Sequence, residues 1–373
     1  MRDLLVTTYT PVLGSGRALR TYTLARALAA DDGLDLLYVR FEADLPDAAF
    51  GAIAGIEMHA AASSRGARRA LAYARARLAG VPAGVARGIS PELADAAGRL
   101  AAAPGRGRVV ADGPTAAATL AALARRRAVI YNAHNFESGF RHELGEPGMR
   151  AQRRLRAFER GLLERAAESW MVSRADLAAA HELSPQARLR YVPNVVDVAA
   201  ITPVRPLVGE QRALLVANFA YEPNRDAVRF MLDDVLPRVW AELPDARLAL
   251  VGSGLDRPPS ADPRVETLGF VEDLHGAYAR ASCALVPLRL GGGTPLKLIE
   301  ALAYGLPVVA TPRAVAGLEL RDGEHCLIAD GPEPFAAALV RVLRGGAPEL
   351  GAHGRALVER CYSIEALSVL LAQ

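Results

Sequence analysis

The chain has 373 residues, 51 % hydrophobic and 23 % charged, the proportions of a globular protein with room for two ordinary domains, each with its own core. A net charge of +3 and 6 % aromatics supply neither a basic footprint nor a stacking platform, which argues against nucleic acid as a partner. Three scattered cysteines form no pair motif, no apolar run reaches the roughly 18–20 residues of a membrane span, and the Met1-Arg2-Asp3 start carries no apolar leader, so a cytoplasmic protein is expected.

Residues 3–8 (DLLVTT) predict a buried strand, 17–30 an amphipathic helix and 34–41 (LDLLYVRF) a second strand, a βαβ unit that opens a parallel sheet. The turn between them, Gly14-Ser15-Gly16, begins like a dinucleotide fingerprint, but Leu19 stands at the third glycine position, which disfavours a dehydrogenase. Two readings of the turn stand: a plain βα connection, or a backbone site for an anion or sugar with Arg20 one helical turn along. Arg65, Arg68, Arg69, Arg75, Arg77 and Arg87 follow with no acidic residue between His59 and Pro91. Such a stretch suits a solvated helix face, or peripheral contact with an anionic membrane surface or acceptor.

Strands are expected at 108–112 and 128–133 around a helix at 114–127, then a helix at about 150–167 and a strand at 168–173. Asn132-Ala133-His134-Asn135-Phe136-Glu137-Ser138 places polar groups after a strand, where open α/β sheets bind ligands. His134 there fits a sugar contact or proton shuttle with Glu137 beside it; capping by Asn135 or Ser138 and a structural histidine is the alternative.

Residues 191–197 (YVPNVVD), followed by Pro203 and Pro206, mark a boundary near 198–210. The alternation then restarts, with strands expected at 213–219, 246–252, 265–271, 283–288 and 307–311, helices near 224–240, 273–281, 295–304 and 332–344, and a long terminal helix at 349–371 kinked near Ser363. After the first of these strands Arg225 is in reach of a phosphate and Asn224 fits a helix cap; Gly252 and the Gly269-Phe270-Val271 turn end the next two.

Residues 291–311 (GGGTPLKLIEALAYGLPVVAT) are the most informative stretch. A glycine turn feeding a helix start exposes backbone N–H groups to an anion, and the helix dipole stabilises it by roughly 0.3–2 kcal/mol. Among 44 lysines and arginines Lys297 is the only lysine, and it falls in the first turn. Glu300, three residues on, shares its face and suits a pair of hydroxyls. Together they read as a nucleotide-sugar site, against the alternative of a surface ion pair.

These residues resemble the GT-B glycosyltransferases, in particular the retaining GT4 type: YVPNVVD is similar to its linker, GFVEDL to its base-binding strand end, and GGGTPLKLIEALAYGLPVVAT to its donor helix. The resemblance implies an α/β chain of two Rossmann-like domains, 1–200 for the acceptor and 201–355 for the donor, with a cleft between them and residues 356–373 packing back on the first. It implies transfer of a sugar from a nucleotide-diphosphate sugar to a hydroxyl acceptor, without metal or organic cofactor. In that reading Lys297, His134 and Glu300 are catalytic, and Arg225, Gly252, Phe270, Val271, Gly292, Gly293, Thr294 and Pro295 bind the donor. Gly14, Ser15, Gly16, Arg20, Asn135 and Glu137 would meet the acceptor. The pattern departs from many members in having Gly292 where they carry a glutamate, and in offering only Arg225 for the usual Arg and Lys pair. A non-catalytic partner subunit and a sugar-nucleotide epimerase are the competing readings.

Overall fold

The computed structural model describes residues 1–41, 44–63, 65–136, 138, 148–207, 209–291 and 294–373. They form two units, Met1–Asn194 with Leu367–Gln373, and Val195–Ala366.

In the first unit, β1 (Arg2–Thr7) and β2 (Leu34–Arg40) flank α1 (Gly16–Ala29). Leu4, Leu5 and Val6 have no exposed surface, as a strand covered on both faces requires. Then come β3 (Ile56–Ala62), α2 (Gly66–Leu78), α3 (Pro91–Ala101), β4 (Arg106–Asp112), β5 (Ile130–Asn132), α4 (Met149–Arg165), β6 (Glu168–Met171), α5 (Arg174–Leu183) and β7 (Leu189–Tyr191). The sheet is parallel in the order β3-β2-β1-β4-β5-β6-β7. Chain order reverses between β1 and β4, and the loops leaving those two strands diverge there into a crevice, where open sheets take ligands.

One expectation changes here. The helix anticipated at 114–127 is a short one, Pro114–Thr119, followed by a 3-10 turn at Leu123–Arg125. The arginine-bearing α2 is largely exposed, as a solvated helix face requires, with Ala76 its buried residue. Arg68 pairs with Glu92 (3.3 Å) and Asp95 (2.5 Å) of α3, Arg69 donates to the Arg87 carbonyl, and Arg77 to that of Val81. The acids that Arg68 meets lie just beyond the acid-free stretch, out of view of local sequence. Among the described residues no helix is long and apolar enough to cross a membrane.

The second unit repeats the plan with β8 (Arg212–Val216), α6 (Glu222–Arg229), a π-helical turn at Phe230–Val235, α7 (Leu236–Glu242), β9 (Arg247–Val251), β10 (Val265–Gly269), α8 (Leu274–Ala279), β11 (Cys283–Val286), α9 (Leu296–Ala303), β12 (Val308–Ala310), β13 (Leu327–Ile328), α10 (Pro332–Leu343) and α11 (Leu350–Cys361). Its parallel order, β10-β9-β8-β11-β12-β13, reverses between β8 and β11. Phe230 and Phe335 meet edge to face at 5.7 Å in the core on one side of this sheet.

The terminal helix is broken where a kink was expected. α11 ends at Cys361 and α12 (Ile364–Ala372) begins after Ser363, whose hydroxyl accepts from Ala366 N at 3.1 Å. The final residues belong to the first unit, where Arg108 donates to the Leu371 carbonyl at 2.7 Å.

At the carboxyl edge of the second sheet the loops after β8 and β9 clasp each other, Phe219 N donating to the Ser253 carbonyl at 2.7 Å, and Gly252 N ties the second loop to the end of β10 by donating to the Gly269 carbonyl at 2.7 Å. Gly252 sits at φ +136°, and a Cβ there would overlap the Ala217 carbonyl. Its glycine is thus a packing requirement. Gly252→Ala should destabilise the protein by about 2 kcal/mol or more, read by chemical denaturation; an unchanged midpoint would show that the two loops separate freely.

Candidate functional site

Helix α9 is anchored by its apolar face, with Leu298, Ile299 and Leu302 no more than 1 % exposed. That leaves Lys297 and Glu300, one turn apart, on the other side. The backbone turns into it at Gly291, φ +118°, a conformation suited to glycine. Pro295, extended at φ −71° and ψ 106°, precedes the first turn, which no side chain caps. Thr294 is buried beside it, while Gly292 and Gly293 lie outside the described residues.

Both ionisable groups are partly withdrawn from water. Burial lowers the Lys297 ammonium to about 8 and pushes the Glu300 carboxyl up to about 7, against a smaller opposing effect of the Tyr278 hydroxyl, which lies 3.5 Å from Oε2. Desolvation dominates each because it penalises the charged form. Tyr278 is itself fixed by stacking on Tyr304, centroids 4.1 Å apart and planes at 19°.

Three partners of this turn were not foreseen. Lys297 Nζ donates to Asn224 Oδ1. Asn224 therefore does not cap α6, the role expected for it; its Nδ2 donates to the Asn218 carbonyl at 2.7 Å. Arg313 Nε donates to the Gly291 carbonyl at 2.6 Å. Arg289, just before the turn, grips Asp226 through Nε (3.0 Å) and Nη2 (2.7 Å) and lies 4.7 Å over the Phe230 ring. No local motif announces these contacts, since the partners are 22 to 73 residues apart.

The other donor residues share the carboxyl edge of this sheet. Phe270 is 75 % exposed beyond β10, and Val271 is half-buried. Arg225 is not a free phosphate clamp: Nε and Nη2 donate to the carbonyls of Phe219 (2.8 Å) and Ala220 (2.7 Å).

In the first unit His134 meets the fully buried carboxylate of Asp112, Nε2 to Oδ1 at 2.7 Å. Asp112 also accepts from Thr21 (2.6 Å), Asn132 (2.8 Å) and Tyr9 (3.4 Å). Burial pushes its carboxyl up, but His134, Thr21 and Asn132 more than offset this and hold it at about 2. Gly113, at φ +87°, makes room for the imidazole; a Cβ there would come within 2.9 Å of His134 Cε1. The cluster lies where the strand order reverses, between the ends of β1 and β4. Sequence reasoning found only His134; the Asp-Gly pair closing β4 was the available signal.

Arg20 is a correction. It is 3 % exposed and donates to the carbonyls of Val192 and Pro193 and the side chains of Asn194 and Asn132, so it braces the interior instead of meeting an acceptor. Ser15 caps α1 by accepting from Ala18 N at 3.2 Å, between Gly14 in an open turn and Gly16, the first helical residue. Asn135 is half-buried and Glu137 lies outside the described residues.

Among the described residues one group could in principle ligate a metal, Asp35, Glu57 and His59. It lies at the amino ends of β2 and β3, away from the crevice. Arg106 and Arg2 pair with the same Asp35 carboxylate, which makes it an ionic network. A cavity lined in part by Met1, Arg106 and Arg127 lies at this same amino-terminal edge, away from the chemistry at the carboxyl edges.

Residues 210–345 match the family described as glycosyl transferases group 1. A phosphatidyl-myo-inositol mannosyltransferase of Mycobacterium tuberculosis is 33 % identical over 159 residues, 40 % of this chain and 42 % of the relative, so the likeness spans less than half of either protein. Among solved structures, a sucrose-phosphate synthase from Thermosynechococcus elongatus superposes with a TM-score of 0.72 at 19 % identity, over 100 % of this chain and 97 % of the other. Anabaena HepE in complex with UDP and glucose gives 0.66 at 12 %, over 100 % and 98 %. The second unit therefore carries a group 1 glycosyl transferase domain, and the chain has the GT-B fold.

Glu300 holds a proton more readily folded than unfolded, so its contribution to stability is complete below its ordinary 4.5 and lost as pH rises through about 7. The melting temperature of Glu300→Gln relative to wild type should climb between those values and level off above them. A difference that does not vary with pH would contradict a desolvated carboxyl.

Proposed function

We propose that the chain is a glycosyltransferase that moves a sugar from a nucleotide-diphosphate sugar to a hydroxyl acceptor, with retention and without a metal ion. The observation that carries this reading is the pairing of Lys297 and Glu300 on the first turns of α9, behind the Gly291 bend, at the reversal point of the second sheet. When the glycosidic bond to the diphosphate breaks, negative charge grows on the leaving phosphate. The uncapped helix start and the Lys297 ammonium supply a fixed positive field there, the task that a divalent cation performs elsewhere. Glu300, ionised, accepts from the ribose hydroxyls, and the backbone at Phe270 and Val271 meets the base.

His134 is assigned to the transferred sugar or its acceptor. With Nε2 held by Asp112, Nδ1 is the nitrogen available to a hydroxyl. Retention is carried over from the GT4 resemblance. The mycobacterial relative is named for phosphatidyl-myo-inositol, which puts inositol lipids and other polyols first among acceptors to try.

Screening UDP-, GDP-, dTDP- and ADP-sugars by thermal shift tests the reading, since a donor at about 100 times its dissociation constant adds about 2.7 kcal/mol. Product analysis of the stabilising donor, with and without a chelator, then reports the anomer and the metal requirement. No stabilisation by any nucleotide sugar, and no transfer or hydrolysis, would refute it. Glu300→Ala should weaken nucleotide binding by about 1.5–3 kcal/mol, measured by calorimetry. Lys297→Ala should lower turnover by about a hundredfold, and normal turnover would remove Lys297 from the mechanism.

A further inference from the structure

Asn224 is a buried polar side chain, 7 % exposed, in the first turn of α6, whose Pro223 lies beside Gly291 and whose Asp226 holds Arg289 just before the bend. Its orientation is determined by chemistry. Nδ2 donates to the Asn218 carbonyl, which can only accept, so Oδ1 faces Lys297 Nζ. A flipped amide would set two oxygens together and turn its NH2 towards an ammonium. The Asn218 carbonyl is held in turn, because the Asn218 side chain accepts from Ala220 N at 3.0 Å in a local turn. A rigid path thus leads from the end of β8 to one N–H of the ammonium.

We propose that Asn224 is a positioning residue for diphosphate binding: a neutral amide that aims the Lys297 ammonium at the glycine bend without cancelling its charge. The inference rests on the reading of Lys297 given above and extends it to specificity. An ammonium on a flexible stem loses rotamer freedom when fixed. Asn224 imposes that order before the ligand arrives, and an oxygen without net charge leaves the ammonium's full attraction for phosphate. An aspartate at the same place would still accept from Lys297 but would neutralise it, and would lose the donor to the Asn218 carbonyl.

The test exploits Lys297 as the sole lysine. Protein grown with 15N-lysine has one side-chain ammonium signal. In wild type, free of ligand, a hydrogen-bonded signal in slow exchange with water is expected; in Asn224→Ala it should broaden away, and in Asn224→Asp it should persist. Binding of inorganic pyrophosphate, followed by calorimetry, should weaken by about tenfold to a hundredfold in both variants, the span of one hydrogen bond to a charged group. Asn224→Asp gains attraction to Lys297 and to the helix amino end but loses the donor to the Asn218 carbonyl, so the melting of each variant is recorded and pyrophosphate is titrated well below the lowest midpoint, which separates lost binding from unfolding. An Asn224→Ala signal identical to wild type, or unchanged pyrophosphate affinity in Asn224→Asp, would overturn the proposal. If Lys297→Ala binds pyrophosphate like wild type, the reading of Lys297 falls, while the labelled signal still decides whether Asn224 holds the ammonium.

Discussion

Holding an ammonium and a carboxyl away from water, one helical turn apart, is the constraint on which the second unit depends. Each group alone resists burial, as the lowered Lys297 and raised Glu300 show. They stay in place because the opposite face of α9 is locked into the core by Leu298, Ile299 and Leu302 and because the bend before it is pinned by Arg313. In the proposed function an anion with hydroxyl donors relieves both groups together. Such a site is preorganised, and little of the ligand's interaction is spent on ordering it.

The first unit solves the same problem in the opposite manner. Asp112 is more deeply buried than either group of α9, yet it is held ionised by four partners, Tyr9, Thr21, Asn132 and the His134 imidazole. Its charge is satisfied internally, so the cluster orients His134 and does not attract an anion. The two sheets share a strand plan and a reversal point, but one edge is electrostatically open and the other closed.

The alternation of strands and helices was legible because apolar runs and glycine turns are local, and so was the Lys297 and Glu300 pair, since helical spacing puts both on one face. β3 escaped notice: most of its residues are partly exposed, and its alternation is weak. The π-helical turn at Phe230–Val235 left no mark beyond an unbroken helical pattern. What stayed hidden in the site were long-range partnerships. Asn224 looks like a cap, Arg20 like an anion clamp and Arg225 like a phosphate ligand until the carbonyls that occupy them are placed. At α2 the exposed face was legible from the run of arginines, but the pairing of Arg68 with acids of the following helix was not.

Several of the internal braces share one chemistry. Arg20, Arg127, Arg225, Arg313 and Arg355 each donate to main-chain oxygens, and Arg20, Arg127, Arg225 and Arg355 bridge two or more at once. A planar fork spans such pairs of carbonyls; a compact ammonium does not. The scarcity of lysine is therefore written into the architecture as well as into the composition. Wholesale arginine-to-lysine recoding would loosen the scaffold while leaving its net charge untouched.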